Sequence, residues 1–165
     1  MRHIISILIE NEAGALSRVA GLFSARAYNI ESLTVGPTED STLSRITIVT
    51  MGSERIIDQI IKQVDKLIDV VAVNQLTSDL HIEREIVLVK VKACESEQRE
   101  GLKHLAEVFN GRIIDVTTDS YIIELTEAVV QIDSFIAALA EYEIIETVRS
   151  GVSGIARGGN VCEAE

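Results

Sequence analysis

The stretch best suited to hold a ligand is Glu10-Asn11-Glu12-Ala13-Gly14-Ala15-Leu16. It joins the end of an alternating apolar segment to the start of a helical one. A helix start offers unpaired backbone N–H groups and a partial positive charge. Gly14 lets a ligand come close to the backbone, and Asn11 supplies both a donor and an acceptor. This set suits a free amino acid, whose carboxylate takes the N–H groups while its ammonium meets carbonyl oxygens. The same residues also fit a plain turn with no ligand.

Catalytic patterns are missing from the rest of the chain. There is no G-x-x-x-x-G-K-[ST] phosphate loop and no G-x-S-x-G nucleophile elbow. The glycines at 151, 154, 158 and 159 have no helical pattern behind them, so they read as a frayed tail rather than a phosphate cradle. Glu83/Glu85 and Glu95/Glu97 have strand spacing that puts each pair on one face. Nothing apolar separates their pKa values, so both pairs read as solvated. His3, His81 and His104 lie far from one another and from Cys94 and Cys162, which excludes metal spacing. Two cysteines make no disulfide framework, and neither has a nearby histidine to activate it. The reading is no catalytic residue, no metal and no cofactor in this chain.

Charge narrows the partners. The chain has 165 residues, with 15 Lys+Arg against 26 Asp+Glu, a net charge of -11. That argues against nucleic acid, where phosphates need clustered cations, and against an anionic membrane surface. No segment approaches the roughly 18 apolar residues of a spanning helix, and the N-terminus runs directly into a strand pattern. A cytoplasmic setting is expected. Residues 1–76 carry a net -2 and residues 77–165 a net -9, so the halves differ in surface.

The elements that must position the turn are legible from periodicity. Ile5, Ile7 and Ile9 share one strand face, and Ile4, Ser6 and Leu8 the other. Leu16, Val19, Ala20, Phe23 and Ala27 mark a helix over about 15–27. Strands follow over 30–36 and 43–51. A helix from Glu54 carries Ile57, Ile60, Ile61, Val64 and Leu67, with Ser53 as its cap, and a strand from Val70 to Leu76 closes the set. The order is β-α-β-β-α-β, a ferredoxin-like α+β arrangement. It recurs: strand 86–92, a helix through Leu102 and Phe109 ended by Asn110-Gly111, strands 112–116 and 121–125, a helix through Ile132 and Phe135, and a strand from Ile144 to Val152. The expected domains are 3–77 and 83–158, with a flexible tail at 159–165. Each is small enough to bury only roughly 60% of its unfolded surface and leaves open sheet edges, so a homodimer is expected.

Residues 10–50, ENEAGALSRVAGLFSARAYNIESLTVGPTEDSTLSRITIVT, closely resemble the start of the small regulatory subunits of acetolactate synthase, also called acetohydroxyacid synthase. The likeness continues through REIVLVKV (84–91), RIIDVT (112–117) and RSGVSGIARG (149–158). It implies that the first half is an ACT domain, an amino-acid sensor, and the second a family-specific domain of related layout. It further implies no chemistry in this chain. The partner would be a catalytic large subunit carrying thiamine diphosphate, Mg and FAD, which joins two pyruvates into 2-acetolactate with loss of CO₂ on the route to valine, leucine and isoleucine. The small subunit would raise that activity and confer feedback inhibition by valine or a related branched-chain amino acid. The effector-binding residues implied are Asn11, Gly14 and Ala15 from one chain and Asn29 and Ile30 from its partner. A free-standing ACT sensor is the alternative. One position departs: Ala27 stands where the family usually has Gly. Alanine is penalised in a left-handed cap, so the helix is expected to run one or two residues longer, with Asn29 taking the left-handed role.

Overall fold

The computed structural model describes residues 1–78, 80–159 and 162, with Ser78 described by its backbone alone. The expected tail at 159–165 therefore lies, apart from Gly159 and Cys162, outside the described residues. The chain forms two compact units. One comprises Met1–Ile82 and the residues from Val152 onward; the other is Glu83–Gly151.

The first unit contains β1 (Arg2–Glu10), α1 (Ala15–Ala25), β2 (Ile30–Pro37), β3 (Leu43–Met51), α2 (Glu54–Val64) and β4 (Val70–Gln75), then a short 3₁₀ turn at Leu76–Ser78. The strand order is β2-β3-β1-β4, all antiparallel. The central strand β1 puts Ile5, Ile7 and Ile9 against Ile46 and Ile48 of β3 and against Val19, Phe23, Ile57 and Ile60 of the helices. Its other face, Ile4, Ser6 and Leu8, is also buried. Ser53 starts α2 without a side-chain cap bond, contrary to expectation.

The C-terminal segment contributes to covering that second face. Ser153–Ala156 form a strand, β9, in place of the expected frayed tail. Thr34 Oγ donates to the Val152 carbonyl, and the Val152 N–H reaches Ser32 Oγ at 3.4 Å. A Cβ on Gly154 would stand 2.8 Å from Leu76 Cδ1 and 3.5 Å from Ile4 Cγ2. Glycine is what allows this approach. Further on, Arg45 donates to the Cys162 carbonyl at 3.2 Å and to Ser6 Oγ at 3.1 Å. The expected second domain runs to 158, whereas the packing groups the described residues from Val152 with the first unit.

α1 ends at Ala25, two residues short of the expected end. Ala27 itself takes the left-handed conformation, φ +54°. The Ala27 N–H bonds to Ser24 O at 3.1 Å and the Tyr28 N–H to Phe23 O at 3.0 Å. This is a full Schellman closure. Its usual apolar contact is present as an edge-on packing of Phe23 and Tyr28, ring centroids 6.3 Å apart. These bonds hold alanine where glycine would be unstrained, and Asn29 does not take the role. The left-handed penalty of about 1–2 kcal/mol exceeds the added unfolded-state freedom of glycine, about 0.4–1 kcal/mol. Ala27→Gly is therefore expected to raise stability by about 0.5–1 kcal/mol, read as an increase of about 2 °C in thermal midpoint.

The second unit contains most of β5 (His81–Lys92), then α3 (Ser96–Val108), β6 (Arg112–Val116), β7 (Ser120–Glu127), α4 (Val129–Ala138) and β8 (Ile144–Arg149). The order β6-β7-β5-β8 repeats that of the first unit. Val87, Val89 and Val91 face Leu102, Ala106, Ile132 and Phe135. α3 closes like α1: Asn110 has φ +57°, and the Gly111 N–H bonds to Ala106 O at 2.7 Å.

Neither acidic pair stands on a solvated strand face. Glu85 is in phase with Val87 and Val89, and is buried, 4% exposed. Arg149 grips both its oxygens, at 3.0 and 2.7 Å, and the Gly151 N–H donates to it at 3.3 Å. Glu95 instead opens α3 in a reciprocal capping box with Gln98.

Candidate effector site

The first turn gathers Asn11, Gly14 and Ala15. Glu10 ends β1 opposite Leu43, so the turn emerges beside the start of β3 and the loop before it. The Asn11 N–H donates to Thr42 O at 2.7 Å and its Nδ2 to Ser41 O at 3.1 Å. The turn is thereby tied to the 38–42 loop, and one of the amide's two N–H donors is committed. Gly14 caps α1 with φ +94° and no side-chain cap bond. Ala15 packs its methyl into the core, 1% exposed. The residue as a whole is covered, and its N–H donates to Glu12 O at 3.3 Å, so Ala15 offers no open group to a ligand in this chain.

Two residues that periodicity did not single out complete this corner. Arg18, one turn after Gly14, binds Asp69 with two parallel bonds, from Nε to Oδ2 and from Nη2 to Oδ1. The Asp69 side chain is buried, 6% exposed, whereas that of Arg18 is 46% exposed. A Cβ on Gly14 would stand 3.1 Å from Arg18 Nη1. The i, i+4 spacing from Gly14 could have flagged Arg18. Nothing local flags Asp69, which is 51 positions away.

The pair has a pH signature. The Arg18 hydrogen bonds hold the Asp69 carboxyl below its ordinary range, against the opposing effect of burial. Asp69 holds the Arg18 guanidinium above its ordinary range. A carboxyl depressed in the fold stabilises above its unfolded pKa, about 3.9, and loses that contribution as pH falls through the folded value. Asp69→Asn is therefore expected to be less stable than wild type at pH 7, with the gap narrowing as the pH falls below the unfolded value of about 3.9. Urea midpoints on either side of that value check this.

Asn29 and Ile30 stand elsewhere. Ile30 pairs with Thr50, which pairs with His3, at the opposite end of the sheet from Glu10 and Leu43. Eight residue steps of extended chain separate His3 from Asn11, roughly 25 Å at the strand rise. Asn29 is exposed, donates to Glu31 at 2.5 Å, and its carbonyl accepts from Thr50 Oγ at 2.6 Å. One chain therefore does not bring the five expected effector residues together.

Among the described residues no group of three or more His, Cys, Asp or Glu could hold a metal ion. No helix among them is long and apolar enough to cross a membrane. Cys94 is exposed and Cys162 buried, and both are free thiols.

The family profile described as the AHAS small subunit-like ACT domain matches residues 5–72, and the profile described as the small subunit of acetolactate synthase matches residues 84–158. The acetolactate synthase isozyme 3 small subunit of Salmonella typhimurium is 52% identical over 162 residues, 98% of this chain and 99% of the relative. This chain belongs to the acetolactate synthase small-subunit family. The acetolactate synthase small subunit of Haemophilus influenzae is 54% identical over 159 residues, 96% of this chain and 97% of that one. The crystal structure of the acetolactate synthase small subunit from Thermotoga maritima superposes with a TM-score of 0.86 at 38% identity, covering 98% of this chain and 99% of that one. The ACT-matched residues hold α1, β2, β3 and α2, most of β1 and the first half of β4. The strand β9 lies inside the second matched range although it packs on the first unit.

Proposed function

We propose that this chain is the regulatory subunit of a cytoplasmic acetolactate synthase. It docks on a catalytic large subunit that holds thiamine diphosphate, Mg and FAD and condenses two pyruvates into 2-acetolactate and CO₂. It raises that subunit's turnover and makes it sensitive to valine or a related branched-chain amino acid. Residues 3–77 act as the sensing and dimerising domain, and the family-specific part over 83–158 accompanies it.

The observation that carries the sensing part is the separation of the effector residues. Asn11 and Gly14 stand at one end of the sheet, Asn29 and Ile30 at the other. A homodimer that sets the first turn of one chain against the start of β2 of its partner would complete two equivalent pockets. Ligand binding and dimer geometry are then one equilibrium, with a coupling of roughly 1–3 kcal/mol. The α1 start and Gly14 accept the carboxylate, and carbonyl oxygens accept the ammonium.

Reconstitution tests the assignment. Added to its cognate large subunit, the chain is expected to raise the rate of acetolactate formation and to make that rate fall with added valine. An unchanged rate with no response to valine, leucine or isoleucine would reject it in favour of a free-standing sensor.

A further inference from the structure

Arg18 has one guanidinium nitrogen that the fold leaves unspent. Nε and Nη2 both bond to Asp69. Among the described residues none accepts a hydrogen bond from Nη1, and this nitrogen is the one beside Gly14, 3.1 Å from the position of a Cβ there. The Arg18 side chain is also close to half exposed, so the residue is not sealed from solvent. The guanidinium plane is set from behind by a buried carboxylate, so little rotamer freedom remains to be lost on binding.

Resting on the reading that an amino acid binds at the first turn, we infer that Arg18 is the specificity residue that reads the ligand's α-carboxylate through Nη1. Asp69 is its positioning residue. Backbone N–H groups at a helix start would accept a carboxylate, a carboxamide or water with modest preference. A fixed guanidinium nitrogen adds a charge-assisted bond that only the anion earns. The chemical class selected is an α-amino acid with a free carboxylate, and amides or esters of the same amino acid bind more weakly. Two further features fit. Asn11 has turned its Nδ2 to Ser41, which leaves Oδ1 without a donor among the described residues, available to an ammonium. Glu12, in the same turn, is a carboxylate that acts electrostatically on Arg18.

The test is calorimetric titration of the full chain with valine and with valinamide, which keeps the side chain and ammonium but lacks the anion. Wild type is expected to prefer valine. Arg18→Gln is expected to lose roughly tenfold or more in valine affinity with valinamide binding unchanged. Arg18→Lys, which keeps the charge without the fork, is expected to retain a reduced preference for valine. An Arg18→Gln chain with the wild-type ratio of the two affinities overturns the inference, and so does a parallel loss of both ligands, which marks a structural role. A wild-type chain that binds neither compound rejects the effector reading itself, and the role of Arg18 with it.

Discussion

Replacing Gly14 with aspartate is expected to abolish the response to valine while leaving the complex with the catalytic subunit intact. Three effects act together. The position has φ +94°, where an L-residue is strained by about 1–2 kcal/mol. The new Cβ would stand 3.1 Å from Arg18 Nη1, so the carboxylate is delivered to the guanidinium edge that faces the turn. It then occupies the anion position as a tethered competitor, and it repels any carboxylate that approaches. Like-charge juxtaposition costs several kcal/mol, so valine affinity should fall by at least about a hundredfold. The core beneath is untouched, since Ala15, Val19 and Phe23 keep their contacts. Valine dose–response of acetolactate formation, together with co-elution of the two subunits, measures both halves of this prediction. Gly14→Ala serves as a control: it brings the strain and the crowding without the charge, and a smaller loss is expected.

The second large effect concerns the second unit. Arg149→Met is expected to destabilise it by about 3 kcal/mol. The substitution keeps much of the side chain's apolar volume but removes the cation from Glu85, which is 4% exposed. The carboxylate then retains only the Gly151 N–H at 3.3 Å. An uncompensated buried charge is the costly outcome, and the lower end of the usual range applies because Arg149 is itself 35% exposed. Removing both partners is expected to be milder. The double variant Glu85→Leu/Arg149→Met should lie within about 1–2 kcal/mol of wild type, because no buried charge is stranded. Amide exchange of Val87 and Val89 reports on this unit specifically. Their opening free energies should fall in the single variant and recover in the double.

How much of this could be read from residues alone depends on whether the deciding contacts are local. The two β-α-β-β-α-β units were legible because single-face periods such as Ile5, Ile7, Ile9 and Val87, Val89, Val91 are written into adjacent residues. The turn at Asn11 and Gly14 was legible for the same reason. β9 was not: Ser153-Gly154-Ile155-Ala156 has no strong alternation, and its place depends on Ile4, Thr47 and Leu76, which are remote in sequence. Glu85 looked solvated because its partner, Arg149, lies 64 positions away. Asp69 was missed likewise. At Ala27 the position was recognised but its conformation was not, since the Phe23–Tyr28 contact and the two closing bonds outweigh the local penalty. The effector set is the extreme case, because in the proposed function its two parts meet only across a second chain.

That claim is tested most directly by mixing two defective chains. Gly14→Asp damages the first turn and Asn29→Ala damages the start of β2, so each homodimer should bind little valine. A mixed dimer has one pocket carrying both lesions and one carrying neither. After the two variants are unfolded together and refolded, calorimetry should recover roughly a quarter of the wild-type valine sites, at wild-type affinity. If the mixture binds no more valine than the separate variants, the two ends of the sheet do not meet across a dimer, and the shared pocket is wrong.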